Sequence, residues 1–229
     1  MEMQRQTAYS PEKSSKSMHG MHGGKFPFRP FLFCSCVVKY YQPKTAEEGL
    51  LLKWLQHLRT VQHHRFLVLR HCWRVGLYRQ GLTHDLSKFS PVEFAAGARY
   101  YQGNRSPNEI ERREKGYSAA WLHHKGRNRH HFEYWSDYNP VERRVGPVKM
   151  PLRYVIEMVC DRMAASKIYL GDKYTDASAL EYFVHGKSHR VIHPETSDLC
   201  ERLLTMLADE GEEKTFAYMR RLLKENKEY

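Results

Sequence analysis

The sequence has no long apolar run, and its cysteines are few. No window of the 229 residues approaches the ~18 uninterrupted apolar residues that a membrane-spanning helix requires. The five cysteines are odd in number and mostly isolated, which argues against a disulfide framework and favours a reducing cytoplasm. Cys34 and Cys36 form one pair, but no second pair follows at zinc-site spacing, so a zinc knuckle is disfavoured. We expect a cytoplasmic protein that does not span a membrane.

Acidic residues are scarce in the first 44 positions, where two glutamates stand against seven lysines and arginines. This stretch mixes Ser, Gly, Pro and His without a sustained period, so residues 1–44 are predicted to form an irregular basic extension. Because the extension carries +5 of the net charge of +11, residues 45–229 are only mildly basic. Such a surplus suits an anionic small molecule, whereas nucleic acid is a possible partner that the pattern does not favour.

Convincing strand alternation is absent as well, and residues 45–229 instead show helical periodicity. Val61, Val68 and Val75 recur at seven-residue spacing on a long helix that starts near Thr45, and Trp54 is expected on the same buried face. Further helices are predicted near residues 90–101, 107–125, 150–170, 175–184 and 195–226. The sequence therefore predicts one all-α domain over residues 45–229.

Three histidines share one row of this long helix. His57, His64 and His71 are seven residues apart, which places each about two turns from the next. His64 lies between Val61 and Val68 in the sequence, so its side chain is expected on the buried side. A buried imidazole needs a partner for each nitrogen, and that partner is either a protein group or a metal ion. The pattern leaves both explanations open.

The segment "GLTHDLSKFS" presents the same choice. Asp85 could be an ordinary helix N-cap with His84 facing solvent, or the two residues could be neighbouring ligands of one metal ion. Lys88 follows one turn later, where it could hold a phosphate oxygen or extend into water. The pair alone does not decide between these possibilities.

A second histidine cluster occurs in "WLHHKGRNRHHFEYW". If a helix continues through Gly126, seven-residue spacing puts His124 and His131 on one face and His123 and His130 on another. Two doubled histidines so close together favour a ligand role over a solvated surface. We choose His124 and His131, although the spacing does not break the tie.

Two carboxylates lie on one face of the predicted helix over 150–170. Glu157 and Asp161 are four residues apart among apolar neighbours, and a buried carboxylate is costly unless it is paired or bound to a cation. Asp161 is therefore a candidate metal ligand, or else it pairs with Arg153 or Arg162. Glu157 could orient a ligand histidine or act as a general base.

The order of four residues along the chain resembles the signature of the HD-domain metal-dependent phosphohydrolases. These residues are His64, the pair His84-Asp85, and Asp161. The segment "HRFLV" resembles that family's H-x-x-x-V helix, and "HDLSK" resembles the form in which the lysine contacts phosphate. His71 also begins an H-x-x-x-V match but lies only 13 residues before His84, so His64 is the preferred first ligand. Over roughly residues 50–225, the chain is similar to a bacterial and phage family of uncharacterised HD-like proteins.

The resemblance implies an HD-like helical bundle that holds one or two divalent transition-metal ions (Mn, Fe, Zn, Ni or Co). His64, His84, Asp85 and Asp161 would bind the principal ion. Asp85 would bridge to a second ion, which His124 and His131 would complete.

The implied activity is hydrolysis of a phosphomonoester or phosphodiester in a nucleotide-like small molecule. Asp85, Lys88 and Glu157 are the expected catalytic residues. Two alternatives remain: a di-iron oxygenase on the same scaffold, or a non-catalytic nucleic-acid-binding or regulatory protein. The metal that the protein contains would separate the two enzymes.

Overall fold

A computed structural model describes residues 45–225 and 229, and this part of the chain is mostly helical. Its α-helices are α1 (Ala46–Val75), α2 (Tyr78–Thr83), α3 (Pro91–Arg99), α4 (Pro107–Lys115), α5 (Ala119–Lys125), α6 (Leu152–Leu170), α7 (Ser178–His185) and α8 (Pro194–Glu225). The prediction of an all-α fold is confirmed. The irregular extension predicted for residues 1–44 lies outside the described residues.

Helix α1 begins and ends as its sequence indicates. The Thr45 hydroxyl accepts a hydrogen bond from the Glu48 backbone N–H at 3.2 Å, which caps the first turn. Gly76 ends the helix with φ of +90°, a left-handed conformation that glycine adopts without steric cost. None of the helices within the described ranges is long and apolar enough to cross a membrane.

The predicted buried face of α1 is correct over most of its length. Val61, Val68 and Val75 are all buried. Trp54 was expected with them, but 39% of it is exposed. Its ring instead contacts the edge of Phe94 on α3, with the ring centroids 5.3 Å apart. The hydrophobic core cluster begins at Val68, about four turns further along α1.

The hydrophobic core forms where α6 packs against α1 and α8, with α7 covering α8. Its fully buried side chains include Val68, Cys72, Val155, Val159, Met163, Phe183, Leu203 and Leu207. Burying one such side chain stabilises the fold by roughly 1.5–3 kcal/mol. Since the same helix α6 carries Glu157 and Asp161, the core fixes the position of both carboxylates.

Helix α3 packs against α1, α4 and α5 and forms the other side of the site. Gly97 makes the close approach to α1 possible, because a Cβ atom there would lie 2.2 Å from His57 Nε2. This approach brings Glu93, near the start of α3, close to the histidines of α5.

The helix predicted over 107–125 is in fact two helices. Gly116 ends α4 with φ of +80°, and the Ser118 hydroxyl caps α5 by accepting from the Trp121 backbone N–H at 3.0 Å. The buried Glu111 carboxylate joins the pair, since it accepts from the Ser118 hydroxyl at 2.7 Å and from the Ala120 N–H at 3.4 Å. The break turns the direction of the chain just before the histidine cluster.

The sequence did not indicate the short hairpin of β1 (Ser136–Asn139) and β2 (Arg144–Pro147). The strands are antiparallel, with Ser136 opposite Pro147. Their side chains are mostly exposed, so no apolar alternation marks them. The helix predicted over 195–226 is α8, which is kinked at Gly211, where φ is +80°.

Candidate metal centre

Asp85 lies at the centre of the site in an unusual backbone conformation. Its φ is +54° and its ψ is +26°, in the left-handed region, where Asp is one of the few residues other than glycine found regularly. Asp85 precedes a short 3₁₀-helix, Leu86–Phe89, but its side chain makes no capping hydrogen bond. His84 is 2% exposed. The ordinary helix start with a solvent-facing histidine is therefore wrong.

The structure brings together the four predicted ligands of the principal ion. One donor atom from each of His64, His84, Asp85 and Asp161 lies within 4.8 Å of the others. His64 Nε2 is 3.0 Å from Asp161 Oδ1 and 3.5 Å from Asp85 Oδ2. His84 Nε2 is 3.4 Å from the same Asp85 oxygen. Three separate segments of the chain, α1, the turn after α2, and α6, contribute to this first ligand group.

A second ligand group lies on the other oxygen of Asp85. His124 Nε2 and His130 Nε2 are each 3.4 Å from Asp85 Oδ1. His131 completes the group, whose donor atoms also lie within 4.8 Å of one another. Three of its buried atoms, Asp85 Oδ1, His130 Nε2 and His131 Nε2, have no hydrogen-bond partner among the described residues. A buried polar atom without a partner costs about 1–3 kcal/mol, and a metal ion would supply the missing interaction.

The doubled histidines are not arranged as the seven-residue spacing predicts. Helix α5 ends at Lys125 and does not continue through Gly126, so seven-residue spacing has no meaning there. His124 and His131 both reach the second group as chosen, but His130 joins them. His123 does not, because its Nδ1 is 2.6 Å from Glu93 Oε1.

Glu157 holds two of the ligand histidines in place. Its Oε1 lies 3.0 Å from His84 Nδ1 and 3.3 Å from His130 Nδ1, while Oε2 accepts from Gln80 Nε2 at 2.8 Å. Donation from both Nδ1 atoms directs both Nε2 atoms toward Asp85. A carboxylate that fixes the tautomer of a histidine in this way is a regular feature of metal sites. Both Glu157 oxygens are occupied, which does not suit the general base considered from sequence.

Glu93 serves His124 in the same way. Its Oε2 is 2.7 Å from His124 Nδ1, which directs His124 Nε2 toward Asp85. Glu93 is buried, and the two histidines that it contacts, His123 and His124, lower the pKa of its carboxyl group against the opposing effect of burial.

The site attracts positive charge strongly. Burial alone would lower the pKa of His84, but the carboxylates of Asp85 and Asp161 raise it to about 10. Burial would likewise raise the pKa of Asp161, yet its contacts with His64 and His84 hold that pKa well below its usual value. For His131, burial dominates and lowers the pKa well below 6.5, so its imidazole is neutral. The ionised carboxylates and the neutral His131 are in the forms that bind metals, and an ion bound by His84 would displace the proton from its Nε2.

Lys88 does not point freely toward solvent. Its Nζ lies 2.8 Å from Asp85 Oδ2, and 30% of its side chain is exposed. Burial would lower the pKa of Lys88, but Asp85 and Asp161 raise it, so the ammonium group stays charged. The sequence predicts that Lys88 contacts a phosphate. Its ammonium group would make that contact while already paired with Asp85.

The three histidines of α1 have three different environments. His64 belongs to the first ligand group. His71 lies in the core, where its Nδ1 donates to the Cys160 backbone carbonyl at 3.1 Å, so it is not a metal ligand within the described residues. His57 lines a cavity of about 190 Å³ that also contacts both ligand groups. The preference for His64 over His71 as the first ligand agrees with this arrangement.

All residues of the two ligand groups lie within 53–206. This segment is matched by a model of DUF5662, which is described as a family of unknown function. The match spans more than half of the chain. The chain belongs to the DUF5662 family. No match was found among curated proteins or among solved structures.

The donor set of this DUF5662 chain fits one or two divalent transition-metal ions. Imidazole nitrogens and carboxylate oxygens suit Mn, Fe, Co, Ni and Zn, whereas Ca²⁺ prefers oxygen ligands throughout. The three unpartnered buried atoms around Asp85 are the strongest sign that a cation belongs there.

Sequence reasoning missed two residues of the DUF5662 site. Glu93 occupies the third position of a helix whose N-cap is Ser90, and an acid there is explained by capping alone. His130 was set aside by a spacing argument that required a longer α5. The repeated doubling of histidines was the signal that could have kept His130 among the ligands.

Proposed function

We propose that this chain is a metal-dependent phosphohydrolase that acts on a phosphomonoester or phosphodiester, in a nucleotide-like small molecule. The observation that carries the proposal is the position of Asp85 between two ligand groups. Its Oδ2 faces His64 and His84, and its Oδ1 faces His124 and His130. A carboxylate with a different set of donors on each oxygen is suited to bridge two cations.

Each ligand group would hold one ion. His64, His84 and Asp161 would bind the first, together with Asp85 Oδ2. His124, His130 and His131 would bind the second, together with Asp85 Oδ1. Divalent ions held there would acidify a water molecule and polarise a phosphoryl oxygen.

The HD-domain resemblance supports the same proposal. The residues that carry it, His64, His84-Asp85 and Asp161, are those of the first ligand group, although they are up to 97 positions apart in the chain. We propose on this basis that the helical bundle is HD-like.

The remaining polar residues have roles that follow from their contacts. Lys88 Nζ borders the cavity and Asp85, where its charge would stabilise a phosphoryl group that gains negative charge during reaction. Glu157 and Glu93 act as positioning residues, since each bonds to the Nδ1 of a ligand histidine. Glu157 does not line the cavity, which supports positioning rather than proton transfer to a substrate.

The hydrolase proposal is tested with Lys88→Ala, using full-length protein purified without chelator or affinity metal. Its metal content, measured by elemental analysis, should equal that of the wild type. Its turnover of phosphate esters should fall on the order of 100-fold, because the charge is needed more in the transition state than for metal binding.

The control is Lys173→Ala, an exposed lysine outside the cavity, which should match the wild type in both measurements. A wild-type protein that contains its metals but hydrolyses no ester across a broad panel of monoesters and diesters would contradict the proposal. If that protein contains iron and consumes oxygen instead, the di-iron oxygenase is the correct alternative.

A further inference from the structure

The cavity beside the metal centre contains a second cation, Arg105, in addition to Lys88. Lys88 is paired with Asp85. Arg105 is half-buried, yet it makes no ion pair or hydrogen bond within the part of the chain that the structure describes. Removing part of a guanidinium group from water without a partner costs free energy. Binding of an anion would offset that cost.

The residues next to Arg105 add further polar groups to the same cavity. Ser106 and Asn108 both line it, and neither side chain makes a hydrogen bond to another of the described residues. Ser106 is the N-cap of α4, but its hydroxyl makes no capping hydrogen bond. The end of the loop before α4 and the first turn of α4 thus present a guanidinium, a hydroxyl and a carboxamide to one cavity, and all three can donate hydrogen bonds.

The three acids that line this cavity do not form an ion pair with Arg105. Asp85 contacts Lys88 and the ligand histidines, Glu93 is bound to His123 and His124, and Asp161 contacts His64. All three are engaged at the metal centre. Among the described residues that line the cavity, no acid is therefore left to pair with Arg105.

We propose that Arg105 binds a second anionic group of the substrate, a phosphate or a carboxylate separate from the phosphoryl group that lies at the metals. This inference rests on the proposed function. The planar guanidinium matches either group with two parallel hydrogen bonds, which makes Arg105 a specificity-determining residue. A cavity of about 190 Å³ is smaller than the 300–1,000 Å³ typical of pockets for drug-sized ligands. The two anionic groups of the substrate are therefore separated by a short linker.

Binding of non-hydrolysable phosphonates tests this without requiring turnover. Propylphosphonate and 3-phosphonopropionate have the same carbon skeleton and differ only by a terminal methyl or carboxylate group. Isothermal titration of the metal-containing full chain should give a Kd about tenfold lower for 3-phosphonopropionate. Ethane-1,2-diphosphonate is the third probe and reports whether a phosphate serves better than a carboxylate. Elemental analysis after each titration shows that the metals have stayed in place.

Arg105→Gln should remove most of the preference for the doubly anionic probes and leave the affinity for propylphosphonate unchanged. The matched control is Arg112→Gln, which changes an exposed arginine of α4 that does not line the cavity. Equal affinity of the wild type for all three probes, or a preference that persists in Arg105→Gln, would overturn the assignment. If the preference depends on Arg105 but no ester is hydrolysed, the anion site stands and the hydrolase proposal fails.

Discussion

At the scale of single residues, Asp85 combines a left-handed backbone with nearly complete burial. Such a conformation costs about 1–3 kcal/mol at a residue other than glycine and persists only where the surroundings impose it. Here it points both carboxylate oxygens at histidines, one toward His64 and His84 and the other toward His124 and His130. The backbone strain is thus located at the residue on which both ligand groups depend.

Glu157 provides a test of positioning at this scale. Glu157→Gln keeps the shape of the side chain but loses the charge that holds His84 and His130 with their Nδ1 protons in place. We expect metal affinity to fall about 10- to 100-fold, since partners of ligand histidines typically contribute that much. Competition with a chromophoric chelator measures the change.

The control is Glu142→Gln, because Glu142 lies on the exposed hairpin turn and, within the described residues, its carboxylate pairs with Arg144 alone. Equal metal affinity for Glu157→Gln and Glu142→Gln would show that Glu157 is merely a buried acid of the core.

The sequence was most informative about residues whose type and position are not explained by helix capping or by exposure to solvent. Asp161 is predicted because a buried carboxylate needs a partner, and the His-Asp pair because its place in the chain resembles the HD-domain signature. Glu93 could not be selected, because its position near a helix start already explained it. Arg105 gave no signal either, since most arginines are solvated and only the cavity distinguishes this one.

At the scale of elements, α1 shows how one spacing leads to three environments. His57, His64 and His71 share a row, but α3, the candidate metal centre and the core lie against successive parts of it. Periodicity predicted the buried face and could not predict which element packs on each turn. The break between α4 and α5 was missed although Gly116 and Ser118 are local signals that end one helix and begin the next.

His71 allows a test of this assignment through the pH dependence of stability. Burial lowers the pKa of His71 from 6.5 to about 4. The His71 imidazole is therefore protonated less readily in the folded protein than in the unfolded chain. His71 therefore favours folding fully above pH 6.5, and this contribution is lost as the pH falls from 6.5 to 4. The loss amounts to up to about 3 kcal/mol.

Urea unfolding between pH 4 and pH 7 measures this contribution. His71→Gln should remove that part of the pH dependence, whereas His189→Gln, which changes an exposed histidine, should leave it intact. Curves of identical slope for the wild type and His71→Gln would contradict the core assignment.

At the scale of the whole molecule, the fold brings together residues from five segments. Helix α1 supplies His64, the turn after α2 supplies Asp85, α5 and the loop after it supply the second histidine cluster, and α6 supplies Asp161. Helical class was predictable because apolar periodicity is local. The distances among these segments were not, because they depend on packing around α6 and on the close approach at Gly97.

Asp85 is proposed to bridge two metal ions. The most direct measurement is elemental analysis of full-length wild type and Asp85→Ala, purified without chelator or affinity metal, with Asp172→Ala as a control at an exposed acid. We predict two divalent transition-metal ions per chain in the wild type and in the control. In Asp85→Ala both ions should be lost, because the bridging carboxylate supplies coordination and charge to two cations that otherwise repel each other. Metal content in Asp85→Ala equal to that of the wild type would contradict the account.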